Sequence, residues 1–301
     1  MTFRHVLAPV DLSRRSRASV AEAIRIAHAC GARLTVLHVA PPLVDEETRE
    51  ELFMALSSLT GLRQLDPSVH MEVVEGDPEP EILAFAAARD VDMIVLGSRR
   101  RGVISRALVE STGDRVTSQA RCSVLVVPER EPEAGVRRRR TKILCAVDLT
   151  DSSSATLEAA VDLTRASAGH LTVLHVVDPW RWAEGGHVST TAIQAARDRL
   201  EQTASERLSL LLARYPASGL DVEALVLFGI PQTVLAQAAV ALGSGTVVLG
   251  AHSRKWLGYE LLGATARSAL RRAPCPVLLV RPLQPQAVDA RHSEPVLTVR
   301  G

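Results

Sequence analysis

The sequence has few aromatic residues, almost no net charge and no long hydrophobic run. Phe, Trp and Tyr make up 3% of the 301 residues, so the cores must be built from aliphatic side chains. A formal net charge of +1 gives no general attraction to nucleic acid or to a membrane surface. No apolar stretch approaches the roughly 20 residues that cross a bilayer, and the opening MTFRHVLAPVD is typical of a strand rather than a secretory signal. We therefore expect a globular, cytoplasmic protein without nucleic-acid or membrane partners.

Cysteines are also scarce, and their spacing does not match the common metal or redox motifs. No CxxC pair occurs, which argues against a zinc site or a thioredoxin-like motif. The chain has no GxxxxGK[ST] phosphate loop, and GSGTVVLG at 243–250 precedes a strand, whereas a dinucleotide fingerprint follows one. No set of nucleophile, base and orienting group is visible. We therefore expect a non-enzymatic protein without a metal, in which four cysteines are small core residues in a reducing compartment: Cys30, Cys122, Cys145 and Cys275.

An internal duplication dominates the sequence. LTVLHV at 34–39 returns 137 residues later at 171–176, and VDLSRRSRAS at 10–19 returns as VDLTDSSSAT at the same offset. Three later pairs share an offset of 153 residues: Gly76 with Gly229, Gly97 with Gly250, and Cys122 with Cys275. The second half therefore carries 16 extra residues, in a segment with Trp180 and Trp182 that could serve as a lid or as a partner surface.

The duplication divides the chain into four parts. We predict a first domain at 1–130, a linker at 131–141, a second domain at 142–283 and a mobile tail at 284–301. The linker region, PEREPEAGVRRRRT, is rich in Pro, Glu and Arg, as solvated linkers are. Its run Arg137–Arg140 is either an anion-binding patch or a charged spacer between two domains.

Short aliphatic segments alternate with helical patterns in each half. The run AEAIRIAHA at 21–29 predicts a helix that ends at Gly31, and EILAFAAA at 81–88 predicts a helix that begins in DPEP. The first half has five segments typical of strands covered on both faces: 5–10, 34–39, 71–75, 93–97 and 123–127. This alternation predicts an α/β fold of two tandem doubly wound (Rossmann-like) domains, each with a five-stranded parallel sheet. Such sheets bind ligands at the carboxyl ends of their strands.

The order of the motifs gives a family resemblance. VLAPVDLS and ILCAVDLT, the twin LTVLHV strands, VVEGDPEPEIL, DMIVLGSRRRG, TVVLGAHSRKW and RRAPCPVLLV follow one another with matched spacing. In this the chain resembles a tandem universal stress protein, with two domains of the UspA type in one polypeptide. The resemblance covers both halves, and it implies a regulatory protein of the stress response. Each motif is modest by itself, but the repetition of the whole series makes the match specific.

The resemblance also implies where an adenine nucleotide such as ATP would bind. ATP-binding members carry Gly, two residues, Gly, nine residues, Gly and then Ser or Thr, so that free N–H groups at a helix start hold the phosphates. The matching residues of the second half are Ala146, Val147, Asp148, Val176, Leu249, Gly250, Ser253, Gly263, Ala264 and Thr265. The matching residues of the first half are Pro9, Val10, Asp11, Val39, Gly97 and Ser111.

The two copies depart differently from this pattern. In the first half Arg100 and Glu110 replace the second and third glycines, and Glu110 would lie at the start of a helix over 111–121. A carboxylate about 4 Å from a phosphate would repel it by about 4 kcal/mol at an effective dielectric near 20. We therefore expect the first site to be closed, although Arg99–Arg101 could instead hold an anion. The second half keeps Gly250 and Gly263, and Ser253 stands at the middle glycine of a turn.

Two further pairs of residues have alternative roles. His38 and His175 end matching strands, where they are either acid–base groups or, as we expect, hydrogen-bonded structural residues. Asp11 and Asp148 precede helix starts, where an aspartate is a natural cap, and capping is compatible with ligand binding.

The last strands of the two halves bear on assembly. SVLVV at 123–127 and VLLVR at 277–281 are apolar, and we predict that they pair antiparallel, within the chain or between chains. We expect a homodimer with four domains and an unidentified protein partner. Three functions stay open: a regulatory nucleotide-binding protein, a weak ATPase, and an interaction protein without a ligand.

Overall fold

The structure, a computed structural model, describes most of both halves. The described residues are 3–13, 15–60, 68–98, 111–129, 141–178, 190–215, 219–251, 253–256 and 259–281. The tail 284–301, Trp180, Trp182, Arg99–Arg101, Glu110 and nearly all of the predicted linker lie outside them.

Strands and helices alternate along the chain. The strands are β1 His5–Val10, β2 Arg33–Ala40, β3 Val69–Glu75, β4 Met93–Ser98, β5 Ser123–Pro128, β6 Lys142–Val147, β7 His170–Val177, β8 Asp221–Phe228, β9 Thr246–Gly250, β10 Ser253–Trp256, β11 Tyr259–Leu262 and β12 Val277–Val280. The helices are α1 Ser16–Cys30, α2 Glu46–Thr60, α3 Pro78–Ala88, α4 Thr112–Gln119, α5 Ser153–Ala166, α6 Thr190–Leu212, α7 Pro231–Ala241 and α8 Ala264–Arg272.

Ten of these strands form one sheet, and β10 and β11 form a separate hairpin. The order in the sheet is β3-β2-β1-β4-β5-β12-β9-β6-β7-β8, and all pairings inside each half are parallel. The order β8-β7-β6-β9-β12 of the second half repeats β3-β2-β1-β4-β5 of the first. The five strands predicted for the first half are confirmed, and so is the fold class of two tandem doubly wound (Rossmann-like) domains.

The two halves meet through their last strands. β12 lies antiparallel to β5, with Leu278 opposite Leu125 and Val277 opposite Val126. Leu125, Leu278 and Val277 are buried, so the apolar strand edge of each half is covered by the other half. The predicted antiparallel pairing is confirmed, and it occurs within the chain. The homodimer stays a prediction.

Arg281, directly after β12, is buried at this junction and is only 6% exposed. Its Nη2 group donates hydrogen bonds to the carbonyl oxygens of Thr117, at 2.9 Å, and Ser118, at 3.1 Å, near the C-terminal end of α4. Its backbone N–H donates to Ser123 Oγ at 3.3 Å. A cation suits the negative end of a helix dipole. A side chain of the second half thus holds a helix of the first half.

Aliphatic side chains cover the sheet on both faces, as the low aromatic content predicts. On one face, α1 with Ala23 and α5 with Ala159 contribute to a single apolar cluster that runs across both halves and includes Leu125 of β5. On the opposite face the clusters are separate, one around Ile82 of α3 and one around Leu235 of α7. The two halves therefore share a core on one side of the sheet only.

Helix ends follow from local sequence. Gly31 ends α1 with a φ of 61°, a left-handed conformation that suits glycine, and its N–H donates to the His28 carbonyl oxygen at 3.3 Å. Pro78 and Pro231 occupy the first positions of α3 and α7, where the missing N–H costs no helical hydrogen bond. Within the described residues, no helix is long and apolar enough to pass through a bilayer.

Candidate functional site

The strand order creates a candidate cleft in each half. From β1 the chain proceeds through β2 and β3 to one side and then through β4 and β5 to the other, so the order reverses between β1 and β4. The corresponding reversal in the second half lies between β6 and β9. Ligands of doubly wound sheets bind outside the carboxyl ends of strands at such a reversal. The first-half cleft thus lies by Val10 and Gly97, and the second-half cleft by Val147 and Gly250.

The structure places every predicted binding residue in or next to an element that borders one of these clefts. In the first half Pro9 and Val10 lie in β1, Asp11 follows it, Val39 lies in β2, Gly97 in β4, and Ser111 is the N-cap of α4. In the second half Ala146 and Val147 lie in β6, Asp148 follows it, Val176 lies in β7, Leu249 and Gly250 in β9, Ser253 in β10, and Gly263 caps α8, which begins with Ala264 and Thr265.

Several of these side chains are too buried to contact a ligand. Val10, Val147 and Leu249 are 8%, 7% and 4% exposed. Ala146 and Leu249 are direct partners across the parallel pairing of β6 with β9. Hence backbone atoms, rather than these side chains, are available at the carboxyl ends of the strands.

A histidine joins two strand ends in each half in the same way. His38 Nδ1 lies 3.0 Å from the Val10 carbonyl oxygen, and His175 Nδ1 lies 2.9 Å from the Val147 carbonyl oxygen. Because a carbonyl oxygen can only accept, Nδ1 carries the proton in both rings. The expected structural, hydrogen-bonded role of both histidines is confirmed.

Asp11 and Asp148 anchor the turns that follow β1 and β6. Asp148 Oδ1 accepts from the Thr150 N–H at 3.1 Å, from Thr150 Oγ1 at 2.6 Å and from Ser153 Oγ at 2.8 Å. Asp11 Oδ1 likewise accepts from a backbone N–H and from the Ser16 hydroxyl. The expectation that the aspartates are helix caps is wrong, since the N-caps are Arg15 and Ser152. The chain makes one more turn before each helix, so the carboxylates reach the first helical hydroxyl instead.

The first-half cleft has a closed helix start. Ser111 and Asp114 form a capping box: Ser111 Oγ accepts from the Asp114 N–H at 3.2 Å, and Asp114 Oδ2 accepts from the Ser111 N–H at 3.1 Å. The first turn of α4 lies against β4. A Cβ atom added at Gly113 would be about 4 Å from the Gly97 carbonyl oxygen. A carboxylate therefore already occupies this helix start. The sequence analysis did not identify Asp114, although Ser-x-x-Asp has the spacing of a capping box.

The second-half cleft has an open helix start. α8 begins after Gly263, with no side-chain hydrogen bond at its N-cap and no acidic residue in its first turn. Arg267 stands at the offset of 153 residues from Asp114, so the acid of the first half is replaced by a base. The Arg267 guanidinium is exposed and donates to the Leu262 carbonyl oxygen. Free N–H groups and a neighbouring cation are what an anion needs at a helix start.

The segment between β9 and α8 is a hairpin rather than the expected glycine-rich turn. Ser253 lies in β10 and pairs with Leu262 at the end of β11, so the chain returns beside Gly250 immediately before Gly263. Ser253 is thus extended, a conformation that any residue adopts. The predicted turn at Ser253 is wrong, because strand pairing between β10 and β11 determines the local backbone. β11 also contacts α4 of the first half.

The cysteines and acidic residues offer no second type of site in the described part of the chain. No group of three or more potential metal ligands occurs there. Burial raises the pKa of Cys122 to about 12 and raises that of Cys145 further, so both thiols stay protonated. Cys122, Cys145 and Cys275 are buried, as predicted for core residues, whereas Cys30 is half-buried.

Several known proteins that this chain resembles are universal stress proteins. A universal stress protein of Mycolicibacterium smegmatis is 26% identical over 300 residues, which are 92% of this chain and 97% of that protein. The universal stress protein Rv2005c of Mycobacterium tuberculosis is 26% identical over 217 residues, 71% of this chain and 69% of its own. The crystal structure of a universal stress protein from Archaeoglobus fulgidus matches with a TM-score of 0.63 at 20% identity, over 92% of this chain and 96% of that one.

The family model described as "Universal stress protein family" matches twice, at residues 2–128 and 139–281. The two matches follow the internal duplication and the two halves of the ten-stranded sheet. The chain therefore belongs to the universal stress protein family, in the tandem arrangement of two such units in one polypeptide.

Proposed function

We propose that this protein is a cytoplasmic regulator that binds an adenine nucleotide, ATP or a related one, in its second-half cleft and acts through conformation or partners. The observation that carries the proposal is the open start of α8. Its N-cap is a glycine, its first turn lacks an acid, and α8 contacts β9, the strand that ends at Gly250. Family membership supports a nucleotide as the ligand, because this segment keeps the first and third glycines of the family's ATP-binding pattern, Gly250 and Gly263, with Ser253 in place of the second.

The base side of the nucleotide would lie across the ends of β6 and β7. Asp148 is held there by Thr150 and Ser153, and the backbone beyond Val176 is at the same edge. The phosphates would lie at the start of α8, where the helix dipole favours negative charge. The first-half cleft would not bind phosphates, since the Asp114 carboxylate lies at that helix start and accepts from the Ser111 N–H, and a second negative charge there would be repelled.

Calorimetric titration with ATP tests the proposal. Gly263 has a φ of −58°, so glutamate fits its backbone, and Gly263→Glu should weaken ATP binding at least about tenfold through charge repulsion. Arg267→Gln should weaken binding because it removes a cation from the first turn of α8. The matched control, Arg271→Gln, removes another exposed arginine from the last turn of the same helix and should leave the affinity unchanged.

The outcomes separate the three functional classes. Binding that survives Gly263→Glu unchanged would show that α8 does not contact phosphate. Release of inorganic phosphate from ATP, lost in the same variant, would favour the weak ATPase. An absence of binding of any adenine nucleotide to the parent protein would leave the ligand-free interaction protein.

A further inference from the structure

A second concave site lies at the opposite edge of the first half. It is an open surface depression of about 410 Å³ at the amino ends of β1, β2 and β4. We call it the amino-end pocket, and its lining consists of Arg4, His5, Arg33, Arg89, Asp90 and Asp92. None of these residues belongs to the candidate clefts at the carboxyl ends of the strands.

The pocket has an excess of positive charge. Its three arginines outnumber its two aspartates by one, and the Arg89 guanidinium lies over the Phe85 ring, 5.3 Å from the ring centre. Asp92 is buried, and its Oδ2 accepts from the backbone N–H groups of Arg4, at 2.7 Å, and His5, at 2.9 Å. This carboxylate is therefore committed to the backbone. Asp90 is the other acid of the lining, and it is exposed.

His5 is a buried part of the pocket lining. The ring is 5% exposed, and Nε2 lies 2.9 Å from Thr35 Oγ1. Nδ1 lies 3.0 Å from Arg33 Nη2 and 2.9 Å from the Arg89 carbonyl oxygen. Because a carbonyl oxygen can only accept, Nδ1–H donates to Arg89, and burial lowers the pKa of His5, so the neutral ring accepts from the Thr35 hydroxyl at Nε2. Arg33 Nη2 therefore lies beside the edge of a buried ring, while the arginine itself is exposed at the pocket.

The fold itself does not require this charge cluster. In the second half the residues at the positions of Arg4, Arg33 and Arg89 are Thr141, His170 and Leu242, and glycines stand at the positions of both aspartates. Lys142 replaces His5, and its Nζ donates to the Leu242 carbonyl oxygen at 3.1 Å. The same sheet edge therefore forms without the three arginines, so their presence in the first half needs another explanation.

We propose that the amino-end pocket binds a phosphate dianion, either free or as the terminal group of a small phosphorylated molecule. Guanidinium groups present paired N–H donors that match the oxygen spacing of a phosphate. Three arginines around one surface depression give the charge and the N–H donors for such a ligand. This site is independent of the nucleotide proposed for the second-half cleft.

Calorimetric titrations at low chloride with inorganic phosphate and, separately, with O-phosphoserine test this site and distinguish the two sources of phosphate. Arg33→Gln and Arg89→Gln should each weaken binding of the preferred probe about tenfold. Arg272→Gln, an exposed arginine at the end of α8, is the control and should have no effect. The NMR signals of the His5 ring should shift with the probe in the parent protein and in the Gly263→Glu variant.

Two results would overturn the proposal. One is that neither probe binds, or that Arg33→Gln and Arg89→Gln bind as tightly as Arg272→Gln. The other is that Gly263→Glu abolishes binding while the His5 signals never move, which would assign the phosphate to the start of α8. Circular dichroism of each variant shows whether the fold is retained, and the His5 signals localise binding in the parent protein whether or not a variant folds.

Discussion

Two leucines hold left-handed backbone conformations at matching places in the two halves. Leu12 and Leu149 both have a φ of 58°, each directly after the aspartate that follows the first strand of its half. This conformation costs a side-chain-bearing residue roughly 1–2 kcal/mol, and both leucines offset it by packing against the shared core. Ala168, with a φ of 46°, stands where the first half has Gly31. Ala168 is exposed, so packing does not compensate for its strain.

The substitutions Ala168→Gly and Gly31→Ala should therefore have opposite effects on stability. Ala168→Gly should raise the free energy of unfolding by about 1 kcal/mol, because glycine adopts a positive φ without strain. Gly31→Ala should lower it by about 1 kcal/mol, since no atom lies within 4 Å of the added methyl group and only the backbone cost remains. Urea unfolding measures both.

Ala166→Gly, at the last residue of α5, is the control for the Ala168 substitution. It makes the same chemical change two residues away, inside the helix, and should destabilise the protein. Equal effects of the two glycine substitutions would contradict the argument from backbone conformation.

The two helices that border the clefts, α4 and α8, begin in opposite ways. α4 has the reciprocal Ser111 and Asp114 cap, which satisfies the backbone and adds a negative charge to the positive end of the helix. α8 has neither, and Arg267 in its first turn opposes the helix dipole. The start of α8 is therefore less stable than the start of α4 unless an anion binds there. In the proposed function that anion is the phosphate of the nucleotide.

This contrast predicts a gain of stability that accompanies a loss of binding. Arg267→Glu should stabilise the ligand-free protein by about 0.5 kcal/mol and weaken its affinity for ATP, because an acid suits the first turn of a helix. Arg271→Glu, in the last turn of α8, should destabilise the protein by a similar amount and leave ATP binding unchanged. Urea unfolding and calorimetry on the same samples would check both halves of the prediction. A loss of stability in Arg267→Glu would speak against an unsatisfied helix start.

The sequence predicted these elements unequally, for physical reasons. The strands could be predicted because each is a short aliphatic run that is covered on both faces. The strands of the first half begin and end within two residues of their predicted limits. The hairpin that contains Ser253 could not be predicted from the local sequence. The flanking glycines suggested a turn, whereas the backbone there is set by pairing with residues farther along the chain. Sequence reasoning assigned the closure of the first cleft to Glu110, which lies outside the described residues, while the structure shows an acid at Asp114.

The union of the two halves depends on contacts that no local pattern reveals. An arginine after a strand, such as Arg281, is ordinarily a solvated charge, yet here it is buried against the end of α4. Pro128 holds the matching position in the first half, so the contact occurs on one side of the junction only. The apolar edges of β5 and β12 pair across the junction, and Arg281 adds hydrogen bonds from β12 to the end of α4.

Removal of this arginine should loosen the junction. Arg281→Met keeps most of the side-chain volume but leaves the carbonyl oxygens of Thr117 and Ser118 without these donors, at a cost of about 2 kcal/mol in unfolding free energy. Arg272→Met, on the exposed last turn of α8, should change the stability by less than about 0.5 kcal/mol. Thermal and urea unfolding would detect the difference, and similar values for the two variants would show that the buried hydrogen bonds contribute little.

The antiparallel junction also fixes which way each half faces. Because β5 and β12 run in opposite directions, the carboxyl ends of the second-half strands lie on the same long side of the sheet as the amino ends of the first-half strands. The second-half cleft and the amino-end pocket therefore lie on the same side of the molecule. Three strand spacings separate β4 from β9, which is about 14 Å. A partner that lies along this side would meet both sites together, while the Asp114 cap faces away from it.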